Sequence, residues 1–194
     1  LWYVRRTMKE KKKILIVVDM QNDFIDGTLG TPEAQAIVSK VADKIKYGNY
    51  DYIFVTQDTH VYADYVKSRE GRHLPVAHCV VGGKGWEIEK DIMSVIIDKD
   101  NYVIVDKENF AVDVWIWWFR DSLNCKRWES GEDFEIEIIG LCSDICVVAN
   151  AFALQTEFPE SEITIDASCC AGTTPEAHKA ALTVMKSCHM NVIN

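Results

Sequence analysis

No stretch of this chain approaches the roughly 20 consecutive apolar residues that cross a bilayer, so no membrane partner is expected. No two cysteines form a CxxC pair, which sets aside a zinc ribbon and a thioredoxin-like motif. The cysteines number seven, an odd count, and the chain is too long for a small disulfide scaffold. A reducing, cytoplasmic home is expected. There is no GxGxxG and no P-loop; Gly82-Gly83-Lys84-Gly85 follows no strand and reads as a turn beside Trp86. Positive charge is also short: 21 Lys and Arg stand against 30 Asp and Glu, a net charge of −9. Such a chain is a poor phosphate binder overall, and nucleic acid is not an expected partner.

What is there is the composition of one ordinary globular domain: 194 residues, 48 % hydrophobic and 26 % charged. Near the N-terminus, Arg5, Arg6, Lys9 and Lys11 to Lys13 precede Ile14-Leu15-Ile16-Val17-Val18. Five apolar residues ending at Asp19 are too few for a signal peptide, whose apolar region needs about 7–15. They read as a buried strand. Residues 1–12 are expected to be an N-terminal extension, with 1–7 a cloning or gene-boundary remnant ahead of Met8, and 13–194 the domain.

Short β-branched runs alternate with helical patterns. The expected strands are Ile14–Val18, Tyr52–Thr56, Tyr102–Val105, Glu135–Ile139, Ile163–Asp166 and Asn191–Ile193. Near-continuous hydrophobic runs belong to strands buried on both faces. Thr31-Pro32-Glu33 and Thr174-Pro175-Glu176 each supply a cap, a proline in the first turn and an acid at the positive end. A third helix is expected from Asp144 to Thr156. Strand–helix alternation gives an α/β fold of three layers, α/β/α, with a mostly parallel sheet. Ligands in such sheets sit beyond the carboxyl ends of the strands. That rule selects Asp19, Gln57-Asp58, Lys107 and the Gly140–Cys146 turn.

The Gly140–Cys146 turn runs from a strand into a helix capped by Ser143 or Asp144, with Cys146 in the first turn. Free N–H groups and the positive helix end favour a thiolate there and could hold an oxyanion; a buried structural cysteine is the plain alternative. Asp19 could serve as base to a thiol or simply end a strand. Lys107 could be functional or reach solvent. Asp58 and His60, two apart on extended chain, point the same way, with Glu70, His73 and His78 nearby. Imidazole with carboxylate suits Zn, Mn or Fe, and His73 reads as the bystander. Residues 59–85 form an irregular stretch of the kind that carries function. Residues 111–132 hold Trp115, Trp117, Trp118, Phe119 and Trp128, read as a helix with an aromatic packing face, or else as an interface of a homo-oligomer or a pocket wall.

In order along the chain, Val18-Asp19-Met20-Gln21-Asn22-Asp23-Phe24, Thr56 to His60, Glu70-Gly71 with Leu74-Pro75 and His78-Cys79, Asp106-Lys107 and Gly140 to Val147 resemble the cysteine-hydrolase superfamily of isochorismatases and nicotinamidases. The resemblance spans about residues 13–193, most closely to nicotinamidase-related amidases. It implies an isochorismatase-like, Rossmann-like domain with a six-stranded sheet and a triad of Asp19, Lys107 and Cys146. It implies backbone oxyanion donors at Cys142 and Cys146, with a cis peptide between Leu141 and Cys142. Phe24 and Leu141 match substrate-lining positions. Asp58, His60 and His78 match a metal site, with Glu70 as a fourth ligand, for one divalent ion, zinc first, manganese or iron next. The implied activity is a metal-assisted amidase on nicotinamide, in NAD salvage. Ala111, Gly83 and the tryptophans at 115–118 depart from the pattern and bear on substrate fit. The alternatives are an amidase for another small amide or carbamoyl compound, a silent binding protein on the fold, and a thiol redox protein using Cys169-Cys170.

Overall fold

The computed structural model describes residues 11–123 and 134–194. Cys125, Trp128 and the first ten residues of the proposed extension lie outside the described residues. The elements run β1 (Lys12–Val18), α1 (Asn22–Ile25), α2 (Pro32–Tyr47), β2 (Tyr52–Asp58), α3 (Tyr62–Tyr65), α4 (Arg69–His73), α5 (Lys90–Ile96), β3 (Tyr102–Lys107), α6 (Trp115–Leu123) and β4 (Phe134–Leu141). A single π-helical turn (Ser143–Val147) then leads into α7 (Val148–Glu157), β5 (Glu162–Ala171), α8 (Pro175–Ser187) and β6 (Asn191–Ile193).

All six strands pair in parallel, in the order β3-β2-β1-β4-β5-β6. The order reverses between β1 and β4, so their carboxyl ends frame the crevice where such sheets bind ligands. Alternation along β1 sorts the core into two layers. Leu15 and Val17 pack with α2 and α5; Ile14, Ile16 and Val18 pack with α6, α7 and α8. Both faces are covered, which is why the strands read as unbroken apolar runs.

The helix starts follow their caps. Thr31 accepts from Ala34 N and Thr174 from Ala177 N, each ahead of a proline. The α6 start is capped from afar: both Glu157 oxygens accept, from the N–H groups of Trp115 and Ile116. Its inner face buries Trp115 and Phe119, and Phe119 stacks on Phe54 and Phe158 at 5.0 and 4.7 Å between centroids. Truncating Phe119 to Ala would cost about 3–5 kcal/mol. Packing therefore accounts for Trp115, while Trp117 faces out at 67 % exposure.

The segment after β4 differs from expectation. Neither Ser143 nor Asp144 caps it; Cys142 holds the N-cap position and no side chain closes the turn. Both expected caps are engaged elsewhere. Ser143 Oγ pairs with His178 Nδ1 at 2.8 Å, and the Asp144 carboxylate accepts from Thr173 N and Oγ1. The first turn is widened, with Val147 N–H reaching Cys142 O at 3.0 Å.

Candidate active site

Strands β1 to β4 each deliver one part of the site from the carboxyl end. Asp19 follows β1 with φ +47° and is pinned to β2. Thr56 Oγ1 donates to its Oδ1 at 2.6 Å, and its own N–H donates to Thr56 Oγ1 at 3.1 Å. Asp58 ends β2 and Lys107 ends β3, side by side in register. Cys146 sits in the π-helical turn after β4. That turn depends on Gly140, at φ +115°, where a Cβ would lie 2.1 Å from Val18 O. A slip in the β4–β5 register falls at the same place, as a bulge beside a functional turn would. The Leu141–Cys142 peptide is cis, as the resemblance implied.

Lys107 is the hub. Its Nζ lies 2.8 Å from Asp19 Oδ2, 3.0 Å from Asp58 Oδ1, 3.0 Å from Asn109 O and 3.7 Å from Cys146 Sγ. Asp19 is fully buried and Lys107 and Cys146 nearly so. Burial pushes the Asp19 carboxyl up, against the pull of Lys107. Burial and the Asp19 carboxylate push the Cys146 thiol well up, again opposed by Lys107. Burial works against the Lys107 ammonium, but Asp19, Cys146 and Asp58 outweigh it and hold the charge. The arrangement is a neutral thiol beside a carboxylate of raised basicity, with a fixed cation next to both. Asp19 Oδ2 has no aligned hydrogen-bond donor, its lysine contact notwithstanding. A buried acceptor left open beside a thiol is where a proton can go.

A second group adjoins the first through Asp58. His60 Nε2 and His78 Nε2 lie 2.9 and 3.5 Å from Asp58 Oδ2, and Glu70 lies 4.0 and 3.5 Å from the same nitrogens. The ligand atoms of Asp58, His60 and His78 fall within 4.8 Å of one another. His60 Nε2 is buried without an aligned partner. His78 Nδ1 must donate to Val76 O, 3.0 Å away, which leaves the Nε2 lone pair of the neutral ring free. Two imidazoles and one or two carboxylates fit a divalent ion such as zinc. Burial opposes charge on Asp58, yet the adjoining His60 and His78 rings and the Lys107 ammonium hold its carboxyl well below the usual range. Glu70 stands at the rim, 23 % exposed, and the exposed His73 pairs with Arg69 O instead.

Several supporting residues carry no role in the sequence reading. Gln21 binds both the N–H and the C=O of Asp58, and also Trp86 O, so it fixes the backbone under the metal-ligand group. Tyr65 packs its ring against His60 and His78, at 4.9 and 5.2 Å, and donates to Leu74 O. Gln21 lay inside the quoted motif; Tyr65 had no signal beyond lying in the irregular stretch. Phe24 is 8 % exposed, 5.4 Å from the His78 ring. Leu141, in the same apolar cluster, is fully buried and presents no surface to a ligand, so its assignment rests on the resemblance alone. Burial with Asp144 and Asp19 pushes the Cys142 thiol up to about 12. Cys169 and Cys170 are both free and pack into opposite layers of the core, which turns their sulfurs apart and removes the redox reading.

The description "Isochorismatase domain" matches residues 13–194. The chain belongs to the isochorismatase family. Among curated relatives, the nicotinamidase of Saccharomyces cerevisiae is 26 % identical over 215 residues, covering 94 % of this chain and 99 % of that protein. The pyrazinamidase of Pyrococcus horikoshii, solved in complex with zinc, superposes with a TM-score of 0.73 at 26 % identity, covering 94 % of this chain and 99 % of that one. The yeast nicotinamidase bound to nicotinaldehyde superposes with a TM-score of 0.75 at 22 % identity over 94 % and 99 % of the two chains, a likeness of fold. No helix among the described residues is long and apolar enough to cross a membrane.

Proposed function

We propose that this protein is a metal-assisted cysteine amidase that hydrolyses nicotinamide to nicotinate and ammonia. One observation carries the reading: Asp19, Lys107 and Cys146 meet at the sheet's switch point, and Lys107 joins them to a metal-ligand group through Asp58. Relatives named for nicotinamide and pyrazinamide, both small aromatic carboxamides, support the substrate class.

In this scheme Asp19 takes the Cys146 proton and the thiolate attacks the carboxamide carbon. The Cys142 and Cys146 N–H groups face the developing oxyanion. Lys107 stays charged, holds Asp19 in place and favours the anionic nucleophile. Asp19 then protonates the departing ammonia, leaving an acyl thioester on Cys146. Water enters and gives a proton to Asp19, its oxygen attacks the thioester carbon, the C–S bond breaks to release the acid, and Asp19 returns the proton to the Cys146 sulfur. Asp58, His60 and His78, with Glu70 at the rim, would hold a divalent ion, zinc first, that supplies a Lewis-acidic position for the ring nitrogen. Phe24 forms a wall beside His78. Such a reaction serves NAD salvage, and the free cysteines suit a reducing cytoplasm.

The test is ammonia release from nicotinamide by metal-loaded protein, with Cys146→Ala as control. Release that vanishes in the variant and falls on chelation is expected. No release by folded, metal-loaded protein would reject nicotinamide, and a panel of small amides and carbamoyl compounds would then separate the related amidases from a silent binding protein.

A further inference from the structure

The Asn150 side chain lies in the first turn of α7, is fully buried, and forms four hydrogen bonds. Its Nδ2 donates to Cys146 O at 2.8 Å and to Phe110 O at 3.1 Å. Its Oδ1 accepts from Val112 N–H at 3.0 Å and from Trp115 Nε1 at 3.1 Å. Two donors and two lone pairs are the full capacity of an amide side chain. The first of these bonds holds the Cys146 turn on which Asn150 itself stands, and the other three reach across to the segment that follows Lys107. That segment also holds Lys107 directly, through the bond from Nζ to Asn109 O at 3.0 Å.

We infer that Asn150 is a positioning residue that sets Cys146 against Lys107 and the 110–112 segment. This rests on the reading of Cys146 as the nucleophile. The widened turn after β4 supplies the need. It has no capping side chain of its own, since Ser143 and Asp144 are turned to His178 and Thr173. Among the side-chain hydrogen bonds of the described residues, the one holding the nucleophile's carbonyl comes from Asn150. Lys107 sits only 3.7 Å from the sulfur, a separation that a small shift of either segment would change. The charged groups facing Cys146 are Asp19, Lys107 and Asp58. Asn150 is neutral and touches none of them, so its influence on the thiol runs through geometry.

The experiment compares wild type with Asn150→Leu, Asn150→Asp and Asn150→Thr. The first readout is the pH–rate profile for iodoacetamide alkylation of Cys146, followed by mass spectrometry on its peptide. This needs no substrate, so it stands whatever amide the enzyme takes. The second is ammonia release, resolved into kcat and KM, with thermal melts alongside. In N150L the inflection of the alkylation profile is expected to move, and kcat to fall about 100-fold with little change in KM, the size a displacement near 1 Å produces. N150D keeps the shape but sets an oxygen against two carbonyls, and is expected to behave similarly. In N150T the hydroxyl can bond the carbonyl four residues back, Cys146 O, and should recover part of the loss. Folded N150L and N150D proteins with wild-type profiles and turnover would overturn the proposal. So would a loss that follows thermal stability alone while the profile stays put. A wild-type Cys146 no more reactive than the buried Cys170 would reject the nucleophile reading itself, a separate failure seen without any variant.

Discussion

Two lysines among the described residues, one buried and one partly exposed, are each set between two carboxylates. Lys107 lies between Asp19 and Asp58 at the carboxyl ends of the strands, at 2.8 and 3.0 Å. Lys44, on α2, lies between Glu137 and Asp166 against the sheet, at 2.6 and 2.5 Å. Around Lys44 the carboxylates take further hydrogen bonds from side chains that have no part in the candidate site. Tyr50 Oη donates to Glu137, and Ser168 and Asn194 donate to Asp166. Around Lys107 the additional neighbour is a thiol, Cys146 Sγ, 3.7 Å from the ammonium and buried with it. An ionic network made only of packing partners fixes the fold, whereas one buried beside a thiol is placed to exchange a proton with it. Sign of charge alone does not separate the two clusters; burial and the thiol do.

The largest contrast lies in turnover. Cys146→Ala is expected to lower ammonia release by roughly 10⁴-fold or more, since members of a nucleophile–base unit act together. Lys44→Met should leave release and Cys146 alkylation at wild-type levels. If Lys44→Met silenced the enzyme without unfolding it, the division into structural and chemical clusters would fail.

Lys107→Met and Lys44→Met sharpen the comparison through stability. Removing Lys107 leaves two buried carboxylates facing one another, at an expected cost of about 3–5 kcal/mol. Lys44 is 23 % exposed, and Tyr50, Ser168 and Asn194 still serve its acids, so about 1–2 kcal/mol is expected there. Urea midpoints for the two variants decide this; equal losses would contradict it.

The metal-ligand group comes next. Chelation should depress release, and added zinc should restore it. Tyr65→Phe loses only the bond to Leu74 O and should weaken metal binding less than Gln21→Ala, which frees both backbone groups of Asp58. Supporting partners of metal ligands typically contribute 10–100-fold in affinity, so competition with a chromogenic chelator can rank the two.

The sequence exposed one of these clusters and hid the other, for a physical reason. Asp19, Asp58, Lys107 and the Cys146 turn each follow a strand whose apolar run is plain, so the rule about carboxyl ends finds them. Lys44 sits on a helix face in the pattern of any solvated lysine; its partners Glu137 and Asp166 lie in other strands, and only the fold brings them together. Asn150 was hidden likewise, because its contacts at Phe110, Val112 and Trp115 are about 35–40 residues away. The helix starts at Thr31 and Thr174 were legible because a cap acts within three residues. The widened turn after β4 was not, because His178 and Thr173 draw away the side chains that would have capped it.

The smallest expected effect is also the one whose sign separates the clusters. Burial opposes charge on Asp166, but hydrogen bonds from Lys44, Asn194 and Ser168 lower its carboxyl from 3.8 to about 2. A carboxyl lowered in the fold stabilises it fully above the unfolded value near pH 4, and that contribution is lost as pH falls through about 2. Asp19 has the opposite sign: burial raises its carboxyl, so its contribution is complete below about pH 4 and is lost as pH rises through the folded value. Asp166→Asn should therefore lower stability at pH 7 by about 2 kcal/mol or less, lose that deficit towards pH 2, and leave turnover intact. Asp19→Asn should abolish turnover without lowering stability at pH 7, because Thr56 can still donate to its side-chain oxygen and a buried charge is gone. Melts at pH 7 and pH 3 on both variants test the pair. An Asp19→Asn protein that melts well below wild type at pH 7 would mean that Asp19, like Asp166, is held for packing.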